Sequence, residues 1–314
     1  MKKIIYVTPH LSTGGLPKYL LEKINKFKKD FDIFVIEYNN ISNSYIVHRN
    51  EIINTITSTK YFCLDEDKTT LLTLINKIKP DIVHFEEIPD TFIQVDILEK
   101  LFRLKNRPFY IVTTHSKESI PNNKVFTPDK YVLVSEWSLN QFKSNTKIPC
   151  DILKYPIIDF TIEKEKYKKE LKLDANYYHV LNVGLFTEGK NQKEVFQIAK
   201  MLQDYPIKFH FIGNQAPNFK NYWEPLMYNK PNNCIVWGER DDVYKFYQAC
   251  DLFYFCSTYE LFPIVIREAL SYKLPMFIKK LDTYLQEYDN IYNIQVIDDN
   301  IHKSKQLILD QFKL

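Results

Sequence analysis

Short apolar runs alternate with amphipathic stretches along most of this chain, and the alternation stops and restarts once. In the first series, strand-like runs fall at 3–8, 31–37, 60–64, 81–85, 109–114 and 130–134. Between them, 18–27 has helical spacing, with Leu20, Leu21, Ile24 and Phe27 on one face, and 69–79 repeats the pattern up to Pro80. Further helices are expected over 91–104 and from Ser138, whereas 41–59 shows no clear period. Near 155–162 the series ends, and a charged stretch, 163–172, reads as an exposed helix. The second series has strands at 177–183, 209–212, 234–237, 252–256, 274–278 and 291–297. Its helices are expected over 193–202, 241–249, from Ile264, and over 301–312. Strands separated by helices pair in parallel through crossovers, so each series predicts a doubly wound α/β sheet. The expected domains are 1–158 and 159–314.

Composition narrows the function classes. A net charge of +3 over 314 residues is too small to indicate a nucleic-acid partner. No apolar run approaches a membrane span, and the N-terminus enters a strand without a cleavage signal. The five cysteines, at 63, 150, 234, 250 and 256, form no C-x2-C pair. They read as reduced thiols, which with the absent leader predicts a cytoplasmic protein and no zinc site.

Ligands of doubly wound sheets bind where the strands end. Only six glycines occur, so each marks a backbone requirement. Gly14 and Gly15 follow the first strand, Gly184 opens the loop that carries Lys190, and Gly213 and Gly238 end later strands. Gly14-Gly15 is not the dinucleotide fingerprint; it reads either as a tight turn or as a phosphate-facing loop. His115 ends a strand beside hydroxyl residues, and reads either as a ligand contact or as a histidine bonded to a carbonyl. Glu86 and Glu87 also lie at a strand end, as a pocket lining or a solvated loop, and His10, His48 and His84 read as structural. After the strand at 252–256, Glu260 and Glu268 stand eight residues apart, with Phe262-Pro263-Ile264-Val265 between them. On one helix the two carboxylates would be about 12 Å apart along the axis. The helix start between them offers N–H groups to a phosphate.

The order of these motifs resembles the retaining GT-B glycosyltransferases, above all glycosyltransferase family 4, the glycosyl transferases group 1. The resemblance rests on the Gly-Gly loop, His115, the Gly184–Lys190 loop, Gly213, Gly238 and Glu-x7-Glu. It implies two Rossmann-like domains with a donor cleft between them and, in some relatives, a last helix that crosses back. It also implies roles for individual residues. Glu260 meets the donor sugar and Glu268 the ribose. Lys190, with the helix start at Phe262, Pro263, Ile264 and Val265, meets the phosphates or the sugar. Gly184 shapes the Lys190 loop, Gly213 and Gly238 lie near the base, and Gly14 and Gly15 lie against the diphosphate. His115 reaches the donor or orients the acceptor, which makes Glu260, His115 and Lys190 the catalytic candidates. Leu185 stands where the family usually has an arginine, so the diphosphate loses one cation unless another residue, such as Lys18, replaces it.

The implied reaction moves a hexosyl group from a nucleoside diphosphate sugar to a glycan, lipid-linked or small hydroxyl acceptor, with retention. No metal or other cofactor is implied, and membrane contact is at most peripheral. The sequence leaves three other readings open: a sugar-nucleotide epimerase, a non-catalytic sugar-nucleotide-binding relative, and an unrelated two-domain binding protein.

Overall fold

The computed structural model describes residues 1–12, 14–39, 44–64, 67–116, 126–288, 291 and 293–314. Thr13, in the middle of the Gly-Gly loop, and the start of the aperiodic stretch 41–59 lie outside them. The chain divides into two units, Met1–Tyr155 and Pro156–Leu314.

The first unit has strands β1 (Lys2–Thr8), β2 (Phe31–Glu37), β3 (Tyr61–Cys63), β4 (Ile82–Phe85), β5 (Phe109–Val112), β6 (Lys130–Leu133) and β7 (Cys150–Ile152). Its helices are α1 (Gly15–Phe27), α2 (Val47–Ile56), α3 (Thr70–Ile78), α4 (Val95–Phe102) and α5 (Glu136–Asn145). The second unit begins with α6 (Lys164–Glu170) and has strands β8 (Tyr178–Val183), β9 (Ile207–Ile212), β10 (Cys234–Gly238), β11 (Leu252–Phe255), β12 (Met276–Lys279) and β13 (Ile294–Ile297). Helices α7 (Gln192–Met201), α8 (Lys220–Tyr228), α9 (Val243–Ala249), α10 (Ile264–Ser271), α11 (Leu285–Tyr288) and α12 (Ile301–Phe312) complete it.

The strand orders are 3-2-1-4-5-6-7 and 10-9-8-11-12-13, one topology used twice. All pairs are parallel. Parallel strands covered on both faces read as continuous apolar runs, which is why β1 and β11 stood out in the sequence. Successive residues of β1 enter different cores: Ile4 and Tyr6 pack with α1 residues Leu20 and Ile24, while Ile5 and Val7 pack with α3 and α4. Each sheet reverses its winding beside its first strand, between β1 and β4 and between β8 and β11. Strand ends at such a reversal leave room for a ligand.

Four expectations change. Helix 91–104 is a single turn at Pro89–Thr91 followed by α4, because proline favours a helix start there. Within 41–59, α2 packs Ile52 and Ile56 inward. α5 begins at Glu136, earlier than expected, because Ser135 and Ser138 form a reciprocal cap. The charged α6 is not wholly exposed, since Tyr167 and Leu171 pack with Phe246 and Tyr247. α12 buries Ile308, Leu309 and Phe312 in the core that includes Val195 and Ile198 of α7. All five cysteines are free thiols, and Cys234, Cys250 and Cys256 are buried.

Candidate active site

Three of the singled-out glycines meet at the ends of β8, β9 and β10. The Gly184 amide donates to the Ile212 carbonyl (2.8 Å), and the Gly213 amide donates to the Gly238 carbonyl (2.9 Å). Gly213 has φ +145°, and a Cβ there would stand 2.0 Å from the Gly184 carbonyl oxygen. No side chain fits that space, so adjacent loops approach through bare backbone. Gly238 has φ +72°, in the left-handed region.

The loop after Gly184 turns through Glu188–Lys190 into α7. A Cβ on Gly184 would lie 3.5 Å from Lys190 Cδ, so the lysine stem lies against the glycine. The Lys190 ammonium pairs with the Glu260 carboxylate. Their loops are stitched along the backbone as well: the Thr258 amide donates to the Gly189 carbonyl (2.8 Å). The Cys256 thiol donates to the Lys190 (3.4 Å) and Asn191 (3.2 Å) carbonyls. Thr283 Oγ1 donates to the Glu260 carbonyl at 2.6 Å and fixes the far side of the loop. Leu185 is half-buried, and its carbonyl accepts from Gln192 Nε2 (3.0 Å).

Pro263 caps α10, and Ile264 is its first residue. Phe262, Ile264 and Val265 are half-buried around this start, and the Arg267 guanidinium lies over the Phe262 ring at 5.2 Å. Glu268, just over one turn into α10, is buried and accepts from the Tyr247 hydroxyl at 2.8 Å. Glu260 therefore stands in the loop and Glu268 inside the helix, as their spacing suggested. Beside Gly238, burial pushes the Glu239 carboxyl up to about 7.

In the first unit, Gly14 has φ +100° and caps α1, while Gly15 is the first helical residue; both are exposed. His115 follows β5, with its amide donating to Glu87 Oε2 (3.1 Å) and its Nε2 lying 3.4 Å from Glu86 Oε2. The Tyr19 ring meets His115 edge-on, with centroids 5.1 Å apart. The solvated-loop reading of Glu86 is corrected: its side chain is 0% exposed and bonded to Lys23 Nζ at 2.8 and 2.9 Å. The same ammonium donates to Thr113 Oγ1 (3.0 Å) and lies 3.3 Å from His84 Nε2. Burial works against the Glu86 charge, but Lys23, His84 and His115 outweigh it and hold the carboxyl well below its ordinary range. Burial and the Lys23 charge push His84 down to about 3. His10 is lowered mainly by burial, and its Nδ1 lies 3.2 Å from Ser12 Oγ.

Sequence reasoning missed Lys23. The available signal was a lysine within the apolar face formed by Leu20, Ile24 and Phe27. Among the described residues, no group of three or more His, Cys, Asp or Glu is placed to hold a metal ion. No helix among them is long and apolar enough to cross a membrane.

Residues 163–299, from α6 to just past β13, match the model of the family described as Glycosyl transferases group 1. The segment includes the three glycines, Lys190, Glu260 and Glu268. The chain resembles the group 1 glycosyltransferases. An uncharacterized glycosyltransferase from Methanocaldococcus jannaschii is 24% identical over 233 residues, covering 66% of this chain and 57% of that protein. The alpha-galactosylglucosyldiacylglycerol synthase of Streptococcus pneumoniae is 28% identical over 128 residues, covering 39% of this chain and 34% of that protein. These matches span about a third to somewhat over half of the relatives' own lengths. Among solved structures, Anabaena Alr3699/HepE in complex with UDP and glucose aligns with a TM-score of 0.77 at 14% identity. That alignment covers 100% of this chain and 90% of the other. The fold is GT-B.

Proposed function

We propose that the protein is a retaining glycosyltransferase that moves a hexosyl group from a nucleoside diphosphate sugar to a hydroxyl acceptor without a metal. The observation that carries this reading is the Lys190–Glu260 pair beside the bare glycine backbone at Gly184 and Gly213. In this reading Lys190 leaves Glu260 for the donor diphosphate and stabilises the charge that grows as the diphosphate departs. Glu260 is then available to a sugar hydroxyl. The amides at the start of α10 add partial positive charge. Glu268, held by Tyr247, takes the ribose, and Gly213 and Gly238 admit the base. Gly14, Gly15 and His115 are the proposed contributions of the first unit.

The complex of the Anabaena protein with UDP and glucose makes a uridine diphosphate sugar the first donor to try. The lipid product named for the pneumococcal relative makes a glycolipid or diacylglycerol the first acceptor. A calorimetric comparison of UDP, GDP, ADP, dTDP and CDP tests the donor. Selective binding of one diphosphate, weakened in Glu268→Ala, supports the reading; no binding by any of them overturns it. Release of free diphosphate only when acceptor is present then separates transfer from simple binding.

A further inference from the structure

We propose that Glu86 is a positioning residue: held in place by Lys23, it fixes His115 as the Nε2–H tautomer and so presents Nδ1 as an acceptor for a substrate hydroxyl. This rests on the glycosyltransferase reading for its consequence, but not for its geometry.

The pair is built for something other than packing. Lys23 and Glu86 are 2% and 0% exposed; Lys23 stands on the face of α1 that buries Leu20 and Ile24, and Glu86 directly follows β4. Burying two charges costs several kcal/mol each, and an apolar pair of similar volume packs at least as well. The three ammonium hydrogens are accounted for by Glu86 Oε1, Glu86 Oε2 and Thr113 Oγ1. Lys23 is thus locked, and through two bonds of 2.8 and 2.9 Å so is the carboxylate.

His115 is the outermost member of the group, with 18% of its side chain exposed. Its Nε2 lies 3.4 Å from Glu86 Oε2. An ionised carboxylate can only accept, so the facing nitrogen must donate. The neutral ring then carries its hydrogen on Nε2 and its lone pair on Nδ1. The Tyr19 ring packs against the His115 ring, and Glu87, accepting from the His115 amide, fixes the backbone that carries it. Glu86 has no exposed surface and acts on substrate only through the ring.

The test uses full-length protein labelled with 15N-histidine; seven histidines make assignment tractable, with His115→Gln identifying the signal. Near neutral pH the wild-type His115 should show the Nε2–H pattern. In Lys23→Met/Glu86→Gln, which removes both charges together, the signal should shift toward a mixture of tautomers. Glu86→Asp keeps the charge for Lys23 but withdraws it from His115, and should move the signal the same way. It keeps the question answerable if the double variant does not fold. For transfer, kcat should fall about 10- to 100-fold, the loss typical when a ring-orienting partner is removed, with donor KM within about twofold. An Nδ1–H wild type, or a tautomer unchanged in folded variants, overturns the inference. Absence of transfer in the wild type overturns the proposed function instead, and leaves the tautomer result to decide this one.

Discussion

Two of the Lys–Glu pairs at strand ends, one in each unit, live in different solvents. Lys23 and Glu86 are 2% and 0% exposed, whereas Lys190 and Glu260 are 31% and 10% exposed. Water screens the second pair and can replace either partner, so it can open for a ligand at little cost. Nothing replaces a partner in the first pair. A sealed pair holds geometry; an open pair exchanges contacts. The contrast suits the roles proposed for them, orienting a ring in the first unit and gripping a charged donor in the second.

The sharpest way to break the comparison is to remove the two glutamates in turn. Glu86→Ala leaves a buried ammonium uncompensated and should cost about 3–5 kcal/mol of unfolding free energy in urea titration. Glu260→Ala should cost no more than about 1 kcal/mol. Equal losses would mean that the two pairs do not differ as their burial implies. The order should invert for chemistry: Glu260→Ala should lower transfer by about 100-fold or more while keeping the fold, measured as initial rate beside thermal melting. A smaller step separates the two carboxylates of the second unit. Glu268→Ala should weaken nucleoside diphosphate binding about tenfold, roughly 1.4 kcal/mol by calorimetry, while Glu260→Ala leaves that binding nearly intact.

The smallest effects are in pH. His84 and, in the second unit, His210 are each pushed down to about 3, mainly by burial. An unfolded histidine binds its proton near 6.5, so between these values the unfolded chain holds more protons. Stability should therefore fall as pH drops through that window, in both units. Glu86, held low, adds a further loss below about pH 4.5, confined to the first. Glu239 has the opposite sign: with its carboxyl raised to about 7, the folded state holds the extra proton, and stability should fall as pH rises from about 4.5 to 7. The two histidines act in the opposite direction over much of that range, so Glu239→Gln should steepen the rise in melting temperature between about pH 4.5 and 6.5 and leave the limb below about pH 4 unchanged.

Much of the architecture was legible because periodicity is local. A parallel strand buried on both faces announces itself within a few residues, and so does a helix with an apolar stripe. Short or weakly patterned elements were not legible: β7 is an edge strand of three residues, and α8 carries Pro225 inside it. In the candidate site, the reading reached residues that sit at strand ends and carry unusual chemistry there, such as Gly213 and Glu260. It did not reach Lys23, which looks in sequence like one more lysine on a helix. It left Glu86 undecided, because a glutamate after a strand is equally consistent with solvent.

By itself, the sequence determined two parallel sheets, the ends at which ligands could bind, and the glycines those ends require. Each follows from spacing along a few residues or from the conformational freedom of one. Only the tertiary structure decided which charges meet. Glu86 is 63 residues from Lys23, and Glu260 is 70 from Lys190. Such partners are chosen by strand order and by the packing of helices onto the sheet. The same packing decides how much water each pair keeps, and therefore whether it holds fast or lets go.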